Sequence, residues 1–390
     1  MSSLIPFWSF LELLIFLDIF LLSSMLFSKI NDSDIQSLIY IFSLVQLLYI
    51  IRIFLNYTFT IIDGQKIDSY IIIDGFSNIR FYAQFLSWTV PFITAYLALE
   101  KKNKFDDLII SILSISWALA FFSGTRSFLL GIIASLVIVF FLTPSLWGKY
   151  LKKTIRIGLV GFIIYLIMTL LIPYLLKLDN VNILNSTINR DFTSSSGRVE
   201  IWMSTWEVAL KYPYLGLGPM MTAADDILPV AHPHNFLLQL AAEWGLIFAS
   251  IVILTTGYCI WLWQRAIKQK PLVRAPLALP VTASISSAVC VSLVDGVMVM
   301  PVSLMYFCVI VGAAAALLRT WSPDLKNLRL SMLSSVILLT PIALLLFITI
   351  NQWLHLAESN QKNHPSPRFW ANGKLQQHHY KTLLDLFNSK

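Results

Sequence analysis

Long apolar runs alternate with short polar connections along most of this chain. Ten such runs fall at about 4–27, 35–57, 80–99, 108–122, 127–147, 157–176, 235–263, 275–294, 302–318 and 330–351. Most approach the ~20 residues that a helix needs to cross ~30 Å of hydrocarbon. The pattern predicts an all-α fold, a polytopic transmembrane helical bundle of about ten spans (10–12). One interval departs from it. Residues 177–234 are largely polar, and long loops in otherwise tightly connected chains often carry function. Within that interval Val199, Trp202, Met203, Trp206 and Leu210 recur at helical spacing, after Ser194-Ser195-Ser196-Gly197 and before Pro213. Serine is a favoured N-cap. The expected element is an amphipathic helix, either lying at the membrane interface or capping the bundle. The chain thus divides into N-terminal transmembrane helices (1–176), a partly helical loop (177–234), C-terminal transmembrane helices (235–351) and a polar tail (352–390). The tail holds His355, His364, His378 and His379 and one short amphipathic pattern around 376–387.

The charges orient this arrangement. Four connections are basic: Lys101, Lys102 and Lys104; Lys149, Lys152, Lys153 and Arg156; Arg265, Lys268, Lys270 and Arg274; and Arg319, Lys326 and Arg329. They hold half of the 28 basic residues and alternate correctly for one side, which the positive-inside rule makes cytoplasmic. The 177–234 loop is then periplasmic, and ten spans put both termini on that side. Glu12 and Asp18 in the first run are read as partners of Arg52 in the second. The N-terminus lacks a charged start and a small-residue cleavage site, so no cleavable signal is expected.

Composition narrows the class. With 57% apolar and 13% charged residues, the 390-residue chain lacks the polar shell of a soluble enzyme. The net charge of +7 resides in short connections without interleaved aromatics, so no nucleic-acid partner is expected. Cys259, Cys290 and Cys308 all fall in apolar runs without motif spacing, and neither disulfide nor metal ligation is expected of them.

Candidate chemistry gathers on the outer side. His234 stands at the entrance of the seventh span, in His232-Pro-His234-Asn235. Helix N-termini favour neutral imidazole, the form that accepts a proton. Ala241 and Gly245 continue its stripe and would admit a neighbouring helix. Glu243 falls on the opposite side of that helix. His232 is either a structural hydrogen-bonding histidine or a second functional one. Arg198 opens the amphipathic helix, where the macrodipole disfavours a cation. An anion bound there would answer this, as would an ion pair with Glu200 or Asp191. Arg126, in Ser123-Gly-Thr-Arg126-Ser127, and Arg80, in Asn78-Ile-Arg80, lie at other outer edges, where a snorkelling side chain is the simpler reading of each alone. Asp295, after the eighth span, would orient the histidine, pair with an arginine or place an acceptor. Tyr212-Pro-Tyr-Leu-Gly216-Leu-Gly218-Pro219 lacks the Lys-Ser/Thr ending of a phosphate loop.

The order Ser-Gly-Thr-Arg126, Gly197-Arg198 before a Trp-rich helix, Pro213…Gly216-Leu-Gly218 and His234-Asn235 resembles the O-antigen ligase and polymerase superfamily of bacterial inner-membrane proteins, over about 120–250. Its ligase branch follows His-Asn by nine residues and then Gly-x-x-Gly/Thr/Tyr. Here Gly245 follows nine residues, and Phe248 takes the last position. The resemblance implies transfer of a glycan from an undecaprenyl-diphosphate carrier on the periplasmic face, without nucleotide sugar, cofactor or metal. It implies His234 as the base that activates the acceptor hydroxyl, and Arg126, Arg198 and Arg80 as ligands of the diphosphate. Asn235, His232 and Asp295 would be supporting residues. The acceptor would be lipid A-core, with a pilin-like protein or another carrier-linked glycan as alternatives. A transporter would instead show paired intramembrane charges, broken helices and pseudo-repeats. Reporter fusions after Lys104 and after Asp225 are expected to report opposite sides of the membrane.

Overall fold

A computed structural model describes residues 17–27, 32–65, 67–74, 76, 78–99, 104–177, 197–218, 221–223, 228, 232–269 and 277–321. Among the described residues all regular elements are helical. They are α1 (Leu17–Phe27), α2 (Asp32–Ile62), α3 (Ser69–Ile72), α4 (Ile79–Leu99), α5 (Asp106–Phe122), α6 (Arg126–Leu142), α7 (Pro144–Leu175), α8 (Arg198–Lys211), α9 (Phe236–Gln269), α10 (Ala278–Ser292) and α11 (Pro301–Trp321). Among the described residues three stretches are long and apolar enough to cross a membrane: Gln36–Ile62, Pro144–Leu175 and Phe236–Lys268. Shorter apolar helices occur at Leu17–Phe27, Arg126–Leu142, Ala278–Ser292 and Val302–Leu318. Glu12, the run at 330–351 and the tail lie outside the described residues.

The helices group into two compact units, one of residues 29–194 and 267–297, the other of residues 1–28, 195–266 and 298–390. In the first unit α4, α6 and α10 pack together, and α5 packs along α7. Gly161 of α7 lies so close to α5 that a Cβ there would stand 2.5 Å from Trp117 Cβ and 2.6 Å from the Ser114 carbonyl oxygen. Pro91 interrupts the hydrogen bonding of α4. Near it, Ser284 of α10 donates to the Trp88 carbonyl oxygen at 2.7 Å, a bond between helices one residue from the Ser87 carbonyl that the proline leaves without its helical donor. Pro173 similarly follows a π-helical turn at Ile167–Leu171, where the Tyr57 hydroxyl donates to the Met168 carbonyl oxygen at 2.6 Å.

Two expectations change here. The basic group Lys149–Arg156 is not a loop between spans. It lies within α7, and the chain turns earlier, at Thr143, because the residue before a proline avoids helical geometry and Pro144 suits a first helical position. Arg52 does not pair with Asp18. It donates to Asp74 Oδ2 at 2.5 Å, just beyond α3, a half-exposed pair.

The α5–α7 contact depends on having no side chain at 161. Gly161→Leu is expected to lower stability by roughly 1–3 kcal/mol, read as a lower melting temperature in detergent. Gly257→Leu, where nothing lies within 4 Å of an added Cβ, should leave it unchanged.

Candidate active site

The histidine cluster belongs to the second unit. Asn235 caps α9: its Oδ1 accepts from the Leu238 amide at 3.1 Å, and its carbonyl oxygen accepts from the Gln239 amide at 3.0 Å. His234 therefore precedes the helix rather than standing on its face, and its backbone is left-handed at φ 56°. Such a conformation costs a side-chain-bearing residue about 1–2 kcal/mol and persists where the surroundings enforce it. The neighbouring groups do so here. The His234 amide donates to His232 Nδ1 at 3.3 Å, the two rings meet edge to face with centroids 4.3 Å apart, and His232 is buried. Accepting at Nδ1 leaves the proton of neutral His232 on Nε2. Trp202 Nε1 of α8 donates to the Pro233 carbonyl oxygen at 2.9 Å, fixing the residue between the histidines.

Arg198 is the first residue of α8, one helical turn before Trp202 and on the same side of the helix. The cap is Gly197, at φ 74° without a side-chain cap bond, rather than a serine. Val199, Met203, Trp206 and Leu210 form an exposed apolar stripe, while Thr205 and Ala209 are fully buried. This is the amphipathic pattern that the spacing predicts. Trp202 departs from it, being half-buried and bound to the histidine turn.

The small-residue stripe below His234 has two partners. Ala241 and Ala242 pack with Ala209 of α8, a helix–helix contact. Gly245, however, interrupts α9 with φ 86° and ψ 162°, and a Cβ there would sit 2.4 Å from the Tyr214 carbonyl oxygen. Its neighbour is thus the 213–218 loop. Three backbone groups at the break pair with that loop. Leu217 and Gly218 amides donate to the carbonyl oxygens of Ala242 (2.8 Å) and Glu243 (3.0 Å), and the Leu246 amide donates to the Pro213 carbonyl oxygen (2.7 Å). Gly216, at φ 68°, lies against Glu243 so closely that a Cβ would stand 2.3 Å from its carbonyl carbon. The buried Glu243 carboxyl accepts from Thr222 Oγ1 and, at 3.2 Å, from Gln239 Nε2. Phe248, where the ligase-branch pattern has a smaller residue or tyrosine, stacks on Trp244 at 5.2 Å. Broken helices in transporters leave carbonyls to coordinate ions. Here the carbonyls of residues 242 and 243 are occupied by loop amides.

Arg126, Arg80 and Asp295 belong to the first unit, and Asp295 organises them. Its buried carboxyl group accepts from Gln84 Nε2 at 2.8 Å, Ser127 Oγ at 3.0 Å and the Gly296 amide at 2.8 Å. Gln84 is one turn from Arg80 in α4, and Ser127 is next to Arg126 at the start of α6. One carboxyl thus ties together two helix starts that each carry an arginine. Arg126 is exposed while Ser127 and Phe128 are buried, and the preceding turn is closed by Ser123 Oγ donating to the Ala120 carbonyl oxygen at 2.7 Å. The Arg80 amide donates to Asn78 Oδ1 at 2.9 Å. All three arginines therefore stand in the first turn of a helix, where each guanidinium lies at the positive end of a helix dipole. Sequence reading noticed this only for Arg198. It missed Gln84, Ser127 and the Glu243 group, whose only signal was polarity inside apolar runs.

Asp295→Ala is expected to cost roughly 1–3 kcal/mol by leaving buried donors unpaired. Adding Ser127→Ala should cost less in that background than in the wild type, a coupling that a double-mutant cycle in thermal melts would detect. Additive losses would separate the two residues.

Comparison with known proteins bears on residues 110–253. No curated protein and no solved structure matches the chain. A family model described as O-antigen ligase matches residues 110–253, a stretch that contains Arg126, Arg198, His232, His234 and Asn235. Residues 110–253 are thus similar to the O-antigen ligase family, in a chain whose described residues include three helices long and apolar enough to cross a membrane.

Proposed function

We propose that this protein is an inner-membrane glycan transferase that moves an undecaprenyl-diphosphate-linked glycan onto lipid A-core on the periplasmic face. The family match supports O-antigen ligase-like glycosyl transfer in general. The finer reading rests on one observation: His234 is held in strained backbone geometry by a turn tied to α8, one helical turn from Arg198.

In this reading the His234 imidazole removes the proton of an acceptor hydroxyl. The new C–O bond forms at the anomeric carbon as the bond to the carrier diphosphate breaks, with inversion. The leaving diphosphate carries away the electron pair, and the guanidinium groups of Arg198, Arg126 and Arg80 offset its charge. His232 and Asn235 hold the base in place. Asp295 acts through the helix starts it joins rather than on the histidine. Because the diphosphate is already a good leaving group, one base, charge neutralisation and positioning suffice.

His234→Ala is expected to reduce glycan transfer by about 100-fold or more while the protein remains in the membrane. Arg126→Lys and Arg198→Lys keep the charge but lose the planar fork. Each should weaken donor binding by about tenfold, the loss of one charge-assisted hydrogen bond of roughly 1.5 kcal/mol. Full activity of His234→Ala would reject its role. Purified protein given carrier-linked glycan together with lipid A-core, a pilin-like protein or further carrier glycan should glycosylate lipid A-core, and labelling of another acceptor would reassign the branch.

A further inference from the structure

A cleft of about 510 Å³ lies where the end of α4, the start of α5 and the first turns of α7 meet. Lys149, Lys152, Lys153 and Arg156 line it from α7, and Asp106 and Asp107 line it from α5. Four cations against two carboxylates leave a net charge of +2. Spacings of three and four residues put the cations on one face of the helix, while Tyr150, Thr154 and Ile157 form a buried face beside them. Tyr150 shares a 2.9 Å hydrogen bond with Ser135 of α6. The basic face is therefore carried on a packed helical element, not on a floppy loop.

The length of α7 locates this face. Its 32 residues extend ~48 Å at 1.5 Å per residue, whereas the hydrocarbon layer is ~30 Å thick. The apolar portion from Ile157 to Leu175 covers ~28 Å and fills that layer. The four cations then stand at the depth of lipid headgroups. The rest of the lining, from Leu97–Leu99 and Ile110, is apolar, and the same helices expose Leu108, Ile155 and Leu159. Cations beside an apolar wall match a phosphate attached to acyl chains, and the carboxylates match hydroxyl donors on the headgroup.

We infer that this cleft binds an anionic glycerophospholipid, with the phosphate on the α7 cations and the acyl chains along the apolar wall and the exposed faces of α5 and α7. The site is independent of the proposed glycan transfer. A soluble phosphate compound would make the ionic contacts alone and leave the apolar wall unused.

The test uses the purified full-length protein in uncharged detergent, with retained lipid counted by native mass spectrometry. Dioleoyl-phosphatidylglycerol should be retained about tenfold over dioleoyl-phosphatidylcholine, from a contribution of each basic residue to binding an anionic headgroup. The combined variant Lys149→Gln, Lys152→Gln, Lys153→Gln and Arg156→Gln should fall to the phosphatidylcholine level. Arg265→Gln, on another helix, should match the wild type. If the combined variant does not fold, Lys152→Gln with Lys153→Gln should weaken retention about threefold. Equal retention of the two lipids, a preference for dioleoyl-phosphatidylethanolamine, or unchanged retention in the variants would overturn the inference. So would displacement of the lipid by equimolar glycerol 3-phosphate, which would mark a site for soluble anions.

Discussion

The break in α9 at Gly245 imposes the requirement that α8, the 213–218 loop and the start of α9 answer. An apolar helix cannot leave its peptide groups unpaired where water is scarce, since each such group costs several kcal/mol. At residues 242–246 the i to i+4 ladder is replaced by three bonds to the 213–218 loop. That substitution requires the loop backbone to come within contact distance, so Gly216 and Gly245 both lack room for a side chain. It also fixes the end of α8 on α9, through the alanines at 209, 241 and 242. With α8 in place, Trp202 reaches Pro233 and sets the turn that carries His234. The position of His234 therefore follows from a chain of contacts that begins about a dozen residues away.

A related economy appears in the first unit. Asp295 accepts from donors on α4 and α6 at once, so a single carboxyl defines the relative placement of two arginine-bearing helix starts. Buried polar networks of this kind are costly when incomplete and specific when complete. Beside this network stand Arg126, exposed, and Arg80, partly buried. In the same unit, the cations of α7 serve a different purpose: they follow from a helix longer than the bilayer is thick.

Much of this was legible in the chain. The apolar runs of about twenty residues gave helices because a helix pairs its own backbone groups inside lipid, and the spacing of Val199, Met203, Trp206 and Leu210 gave an amphipathic α8 whose apolar stripe is exposed. Arg126, Arg198 and His234 stood out because they lie on the side opposite the four basic connections. The same reasoning erred where local context was read without neighbours. Lys149–Arg156 reads as a loop because it is polar, yet helices continue through polar sequence when one face is packed, here by Tyr150, Thr154 and Ile157. Arg52 was matched to Asp18 by their membership in adjacent apolar runs, whereas Asp74 is the group within reach.

The sequence by itself determined that the described residues are helical, that three of their helices are long and apolar enough to cross a membrane, and that residues 110–253 resemble a family described as O-antigen ligase. Hydrophobic length, charge scarcity and local motif spacing are properties of the one-dimensional chain, and they suffice for this. Only the tertiary structure decided that His234 precedes its helix in left-handed geometry, that Gly245 faces a loop, and that Asp295 joins α4 to α6. Those outcomes rest on hydrogen bonds between residues up to 211 positions apart. No local periodicity encodes such pairings, because they exist only once packing has brought the donors and acceptors together.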